Sequence, residues 1–170
     1  MQINTSRFGV LEVDPDAIIT FTQPIIGFQE FRRFIVLPGP PDSFIQWLQS
    51  TESPDLAFIL MSPREVMPDY RVAIGSHELA ELAVQSADEL DVFTLVVVPQ
   101  DPTKIRTNLK APVLINRKHR LGKQTVLEKS DYPIQFLLAQ ARSEAPARPG
   151  DAGRSEATAK REVGHARTDA

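Results

Sequence analysis

Apolar residues in this chain fall into short runs cut by turn formers. The densest run lies in residues 44 to 61, FIQWLQSTESPDLAFILM, which also hold the only tryptophan. Residues 44 to 49 read as one strand. Residues 56 to 61 are six consecutive apolar residues, as expected of a strand buried on both faces. Between them Ser50, Thr51, Glu52, Ser53, Pro54 and Asp55 are all turn formers, and Pro54 has no N–H to give to a ladder. The pattern predicts a hairpin around which a core condenses.

The same reading runs along the rest of the chain. Residues 2 to 4 and 10 to 13 predict short strands around Arg7-Phe8-Gly9, where the glycine suits a bend. Asp14-Pro15-Asp16 is a turn, and the β-branched residues 17 to 21 predict the next strand of an N-terminal hairpin. Residues 31 to 37 follow, ended by the turn cluster Pro38-Gly39-Pro40-Pro41-Asp42. Tyr70, after Pro68-Asp69, stands near the start of a short strand. Residues 76 to 84 carry the one helical signal, with Ser76 as N-cap, Glu78 in the first turn, and Leu79, Leu82 and Ala83 on one face. Strands are expected at 92 to 98, 104 to 109, 113 to 116 and 124 to 127. Gly122 is placed in a tight turn before the last of these, and 134 to 138 supply a final short element. About ten short strands and one short helix, without βαβ alternation, predict a mainly β protein, an antiparallel small barrel or sandwich.

Composition changes after residue 141. Residues 142 to 170 hold seven alanines, alternating charges and Val163 as their only large aliphatic residue. Such a stretch buries too little apolar surface to offset its ordering entropy. Residues 1 to 141 are expected to be the single domain and 142 to 170 a disordered low-complexity tail, with 155 to 163 marginal as a helix. No apolar run approaches the roughly 18 residues of a membrane span. The N-terminus lacks the basic start and apolar stretch of a secretory signal, and cysteine is absent; a cytoplasmic protein without disulfide or thiolate chemistry is expected.

Net charge, −3, conceals a division. Residues 1 to 103 carry 15 acidic against 5 basic residues, whereas 104 to 129 carry 8 basic residues against Glu128 alone. An acidic body attracts a basic partner, a basic strip attracts an anion, and the two halves can also interleave once folded.

Chemically reactive arrangements are scarce. His77, His119 and His165 share no metal-ligand spacing, so neither metal nor cofactor is expected. Gly75-Ser76-His77 lacks the strand and glycines of a nucleophile elbow, although a small hydrolase using Ser76 is one reading. Asp88, Glu89 and Asp91 read as an acid–base group or as a solvated turn. No glycine-rich phosphate cradle occurs. The basic turn from Arg117 to Lys123 has the density of a phosphate-contacting loop, yet 104 to 129 contain no aromatic residue for base stacking. The chain does not read as an enzyme; binding a basic protein, or RNA through the 104 to 129 strip, remains.

The order of its motifs resembles that of the bacterial flagellar assembly factor FliW family. The matching pieces are Thr5 with Arg7-Phe8-Gly9, Ile18-Ile19-x-Phe21, Gly27-Phe28, Phe44-x-x-Trp47-Leu48-Gln49-Ser50, Leu56-Ala57-Phe58, Pro68-Asp69-Tyr70, Asn108-Leu109-x-Ala111-Pro112-x-x-Ile115-Asn116 and Gly122-x-Gln124, spread over about residues 2 to 138. Before Gly27-Phe28 the family usually has an acidic residue followed by a glycine, where this chain has Gln23-Pro24-Ile25. The resemblance implies a non-enzymatic partner switch in the cytoplasm: it binds flagellin and, when free, binds and antagonises the translational repressor CsrA, relieving repression of flagellin translation. Gln49, Asp69, Tyr70 and Asn108, polar groups within apolar motifs, are expected on a partner surface. The alternative is that Asn108 and Asn116 satisfy turn backbone and Tyr70 is a half-buried core ring. Trp47, Phe58 and Phe8 are assigned to the core.

Overall fold

The computed structural model describes residues 1–144. Its strands are β1 (Gln2–Thr5), β2 (Gly9–Glu12), β3 (Ile19–Phe21), β4 (Arg33–Pro38), β5 (Ile45–Ser50), β6 (Ala57–Met61), β7 (Asp91–Val97), β8 (Arg106–Thr107), β9 (Val113–Asn116), β10 (Leu121–Gln124) and β11 (Phe136–Leu137). The helices are α1 (Ser76–Glu81) and α2 (Leu138–Glu144), and four single 3-10 turns lie elsewhere along the described residues. β1 and β2 form a separate antiparallel ribbon; the others run in the order β11-β8-β7-β6-β5-β4-β3-β10-β9.

A further pairing of β7 with β9 closes seven of these strands, β3 to β7 with β9 and β10, into a barrel. β7 is the branch point. Its first half meets β9 (Phe93 opposite Val113) and its second half meets β8 (Val96 opposite Thr107), while β6 lies along its other side.

Alternation explains the two-sided burial of the central hairpin. Phe34, Leu48, Leu60, Phe93, Val113 and Ile115 point into the barrel, with Phe21 packed edge-on to Phe34 at 5.2 Å. The intervening Trp47, Ile45, Ile59 and Met61 face outwards beneath a second layer that includes Phe8 and Leu138. Hence the six-residue apolar run is buried from Leu56 to Met61 apart from the partly buried Phe58. The Arg7 guanidinium lies 4.5 Å over the Trp47 ring, and Phe8 packs edge-on against it.

Several expectations are corrected. β3 does not form a hairpin with β2: a 3-10 turn at Pro15–Ala17 separates them, and β3 pairs with β4 and, in parallel, with β10. Gly122 is not in a turn but inside β10, where its missing Cβ admits Phe21. The N-cap of α1 is Gly75, not Ser76, which starts the helix itself. Tyr70 lies in an irregular segment rather than near a strand. A second helix, α2, follows the last strand at Leu138–Glu144, beyond the one helix expected. The expected helix at 155 to 163 and the rest of the tail lie outside the described residues.

Candidate partner-binding surface

Four residues read as surface contacts from the sequence occupy different environments. Gln49 is fully buried at the end of β5. Its Nε2 is turned toward the carbonyls of Ser50 (3.0 Å), Leu56 (3.2 Å), Ser53 and Pro54 (both 3.4 Å), which gathers the β5–β6 loop around one amide. Tyr70 is 2% exposed. Its hydroxyl donates to Leu109 O at 2.6 Å, and its ring stacks on Tyr132 at 4.5 Å. Burial, with Tyr132 nearby, pushes the Tyr70 hydroxyl well above its ordinary range, so it stays protonated and donating. In this fold neither Gln49 nor Tyr70 offers surface to a partner, and both are corrected to structural roles.

Asn108 is half-buried, and its Oδ1 accepts from Lys110 N (3.0 Å) and Ala111 N (3.1 Å), an Asx-type turn. Asp69 is exposed. The structure therefore gathers Asp69, Tyr70 and the Asn108–Leu109 backbone around one aromatic cluster, with Gln49 engaged elsewhere, in its own hairpin loop.

The charged halves interleave. Arg117 pairs with Asp91 in a close contact, Arg120 with Asp16 at 2.9 Å, and Lys123 with Glu81 (2.9 Å) and Glu78 (3.2 Å). Three of the strip's eight cations are thus held by carboxylates of the acidic body, which lowers its potential as a phosphate track. Two of the three acids in the run at 88 to 91 are similarly committed. Glu89 accepts from Gln85 N and Ser86 N in a capping box that holds it below the ordinary carboxylate range, and Asp91 serves Arg117. Among the described residues no group of three His, Asp or Glu side chains is placed to hold a metal ion. No described helix is long and apolar enough to cross a membrane.

Lys123 fastens α1 to the barrel. Its side chain is 10% exposed, and Thr22 Oγ1 donates to Glu81 Oε2 at 2.7 Å while Thr125 Oγ1 makes a close bond to Glu78. Burial pushes the Glu81 pKa up, but the hydrogen bonds from Thr22 and Lys123 prevail and leave it below 4.5. For Lys123 burial pushes down, and the bonds to Glu81 and Glu78 raise it above 10.5. The depressed carboxyl contributes stability above its unfolded pKa that is lost as pH falls through the folded value. The raised ammonium contributes below 10.5 and is lost as pH rises through its folded value. Hydrogen exchange should therefore show the Leu82 and Val84 amides losing protection as pH drops from about 5 to about 3, while β9 amides keep theirs. Equal protection across that range would mean that the ion pair does not hold the helix.

The loop that departs from the family pattern packs onto the barrel: Ile25 is 1% exposed and Ile26 N donates to Gln124 Oε1 at 3.0 Å.

The FliW protein family model matches residues 2–138. Flagellar assembly factor FliW of Natranaerobius thermophilus is 41% identical over 139 residues, covering 81% of this chain and 92% of that protein. FliW of Geobacter sulfurreducens is 37% identical over 155 residues, covering 90% and 97%. FliW of Bdellovibrio bacteriovorus is 36% identical over 135, covering 79% and 77%. A crystal structure of the flagellar assembly factor FliW superposes with a TM-score of 0.74 at 30% identity, covering 81% of this chain and 96% of that one. Barrel, motif order and these relatives agree, and the chain belongs to the FliW family of flagellar assembly factors.

Proposed function

We propose that this protein is a non-enzymatic flagellar assembly factor that binds flagellin in the cytoplasm and, when free of it, binds and antagonises CsrA, relieving repression of flagellin translation. The observation that carries the reading is family membership across residues 2–138. The charge balance supports it: residues 1 to 103 carry 15 acidic against 5 basic residues, a composition suited to a basic RNA-binding partner. Sequestration at micromolar concentrations requires about 8 kcal/mol or more of binding free energy. Two proteins competing for one then transmit flagellin level to translation by mass action. Binding RNA through the 104 to 129 strip is the second reading, and the pairing of Arg117, Arg120 and Lys123 with carboxylates weighs against it.

Calorimetric titration of the full chain against CsrA and then flagellin from the same cell tests this. Submicromolar binding to each, with one weakening the other, is expected; no binding to either by folded protein overturns it. Asp69 and Asn108 remain contact residues on this proposal. Reversing the charge with Asp69→Lys should weaken CsrA binding by about 3- to 10-fold, mainly through the association rate. Unchanged affinity for both partners would take Asp69 off the interface.

A further inference from the structure

A cleft of about 570 Å³ opens between the 3-10 turn at Pro63–Glu65, the segment from Tyr70 to Val72, and the start of β7. Arg64, Arg71 and Arg117 line it, with Asp88 and Asp91. In a chain whose first 103 residues contain only five basic side chains, two of those five meet here. Arg117 is committed to Asp91. Arg64 gives its Nε to Tyr70 O at 3.2 Å, and neither Arg64 nor Arg71 forms an ion pair with a described residue. Gln46 also lines the cleft, and its buried Oε1 accepts from no donor among the described residues.

From this combination we infer that the cleft is a binding site for a short peptide segment bearing one carboxylate. The carboxylate is taken by Arg64 and Arg71, whose planar guanidinium groups suit such an anion. Gln46 Oε1 accepts a peptide N–H, relieving a buried acceptor. Val72 and Leu90 give the cleft an apolar wall, and its volume is in the range of small-ligand sites. A nucleic-acid backbone fits less well: two guanidinium groups without ion pairs suit one anion rather than a run of phosphates, and the lining rings of Tyr70 and Phe93 are 2% and 8% exposed, too little for base stacking. The site goes beyond the partner switch and stands whichever protein supplies the segment.

The test uses the full chain, isotope-labelled, with the capped peptide acetyl-Ala-Leu-Glu-Leu-Ala-amide and its glutamine counterpart. The glutamate peptide should shift the Arg71 and Val72 amides and the Gln46 side-chain amide, with millimolar or tighter affinity. The glutamine peptide and the Arg64→Ala/Arg71→Ala variant should each weaken binding by about tenfold or more, and Arg71→Lys less than the double variant. Equal binding of the two peptides, shifts confined to other regions, no binding at all, or tighter binding of a single-stranded heptanucleotide in the cleft would overturn the inference. Titrating wild type and the double variant with flagellin and CsrA separates this site from the switch. Peptide binding without either partner sinks the switch alone; partner binding without peptide binding sinks the cleft alone.

Discussion

Gln49→Glu is expected to cost about 4 kcal/mol of stability at pH 7 while remaining much closer to wild type near pH 4. The side chain keeps its shape, but a carboxylate has no hydrogen to give to the four carbonyls that the Gln49 amide nitrogen now approaches. With residue 49 fully buried, the folded state admits the acid chiefly in its protonated form. A carboxyl whose folded pKa lies above its unfolded value of about 4.3 loses stability as pH rises between the two, by about 1.4 kcal/mol per unit. Urea unfolding at both pH values measures this. A variant as stable as wild type at pH 7 would mean that the loop is not held by this amide. The folded fraction should bind partners with unchanged affinity, because the residue does not reach the surface.

The second large effect is expected at Gly122. An added Cβ would lie 2.8 Å from Phe21 Cε1 and 3.1 Å from Ile19 Cγ2. Phe21 is fully buried and fixed against Phe34, so the ring has nowhere to withdraw. Gly122→Ala should lose about 2 kcal/mol, the overpacking outweighing the roughly 0.5–1 kcal/mol that alanine regains in backbone entropy. Its urea midpoint should fall by about 1 M. Adding Phe21→Leu makes room, so the double variant should be more stable than the sum of the two single losses predicts. A Gly122→Ala protein within 0.5 kcal/mol of wild type, a change no larger than an ordinary surface substitution, would show that the two strands separate easily.

What was legible in the sequence was local. The β5–β6 hairpin declared itself through an apolar run and a six-residue turn cluster within 18 residues, and β9 has the bounds its apolar pattern predicts. The resemblance to the FliW family pointed to the right relatives because its motifs are spread along the barrel strands. Pairings distant in sequence were not legible. Nothing in residues 19 to 21 announces a parallel partner a hundred positions away, and Gly122 reads as punctuation until Phe21 is seen against it. Gln49 reads from the sequence as a surface contact because a polar residue in an apolar motif suggests solvent, whereas the fold buries it. The signal was its place just before a loop whose carbonyls need a donor. The cleft was missed because Arg64, Arg71 and Arg117 share no spacing; the turn from β9 to β10 brings Arg117 to the other two.

The parallel seam also governs how the protein is born. Phe21 and Gly122 are register partners, and Thr22 N donates to Gly122 O across 100 positions. At about 5 to 20 residues per second of synthesis, the β3 edge waits on the order of 5 to 20 s before its partner strand is made. Contacts so far apart in sequence also slow folding once the whole chain is available. During that interval the nascent chain carries an open sheet edge beside apolar side chains destined for the barrel interior, and this is when the protein is most exposed to aggregation.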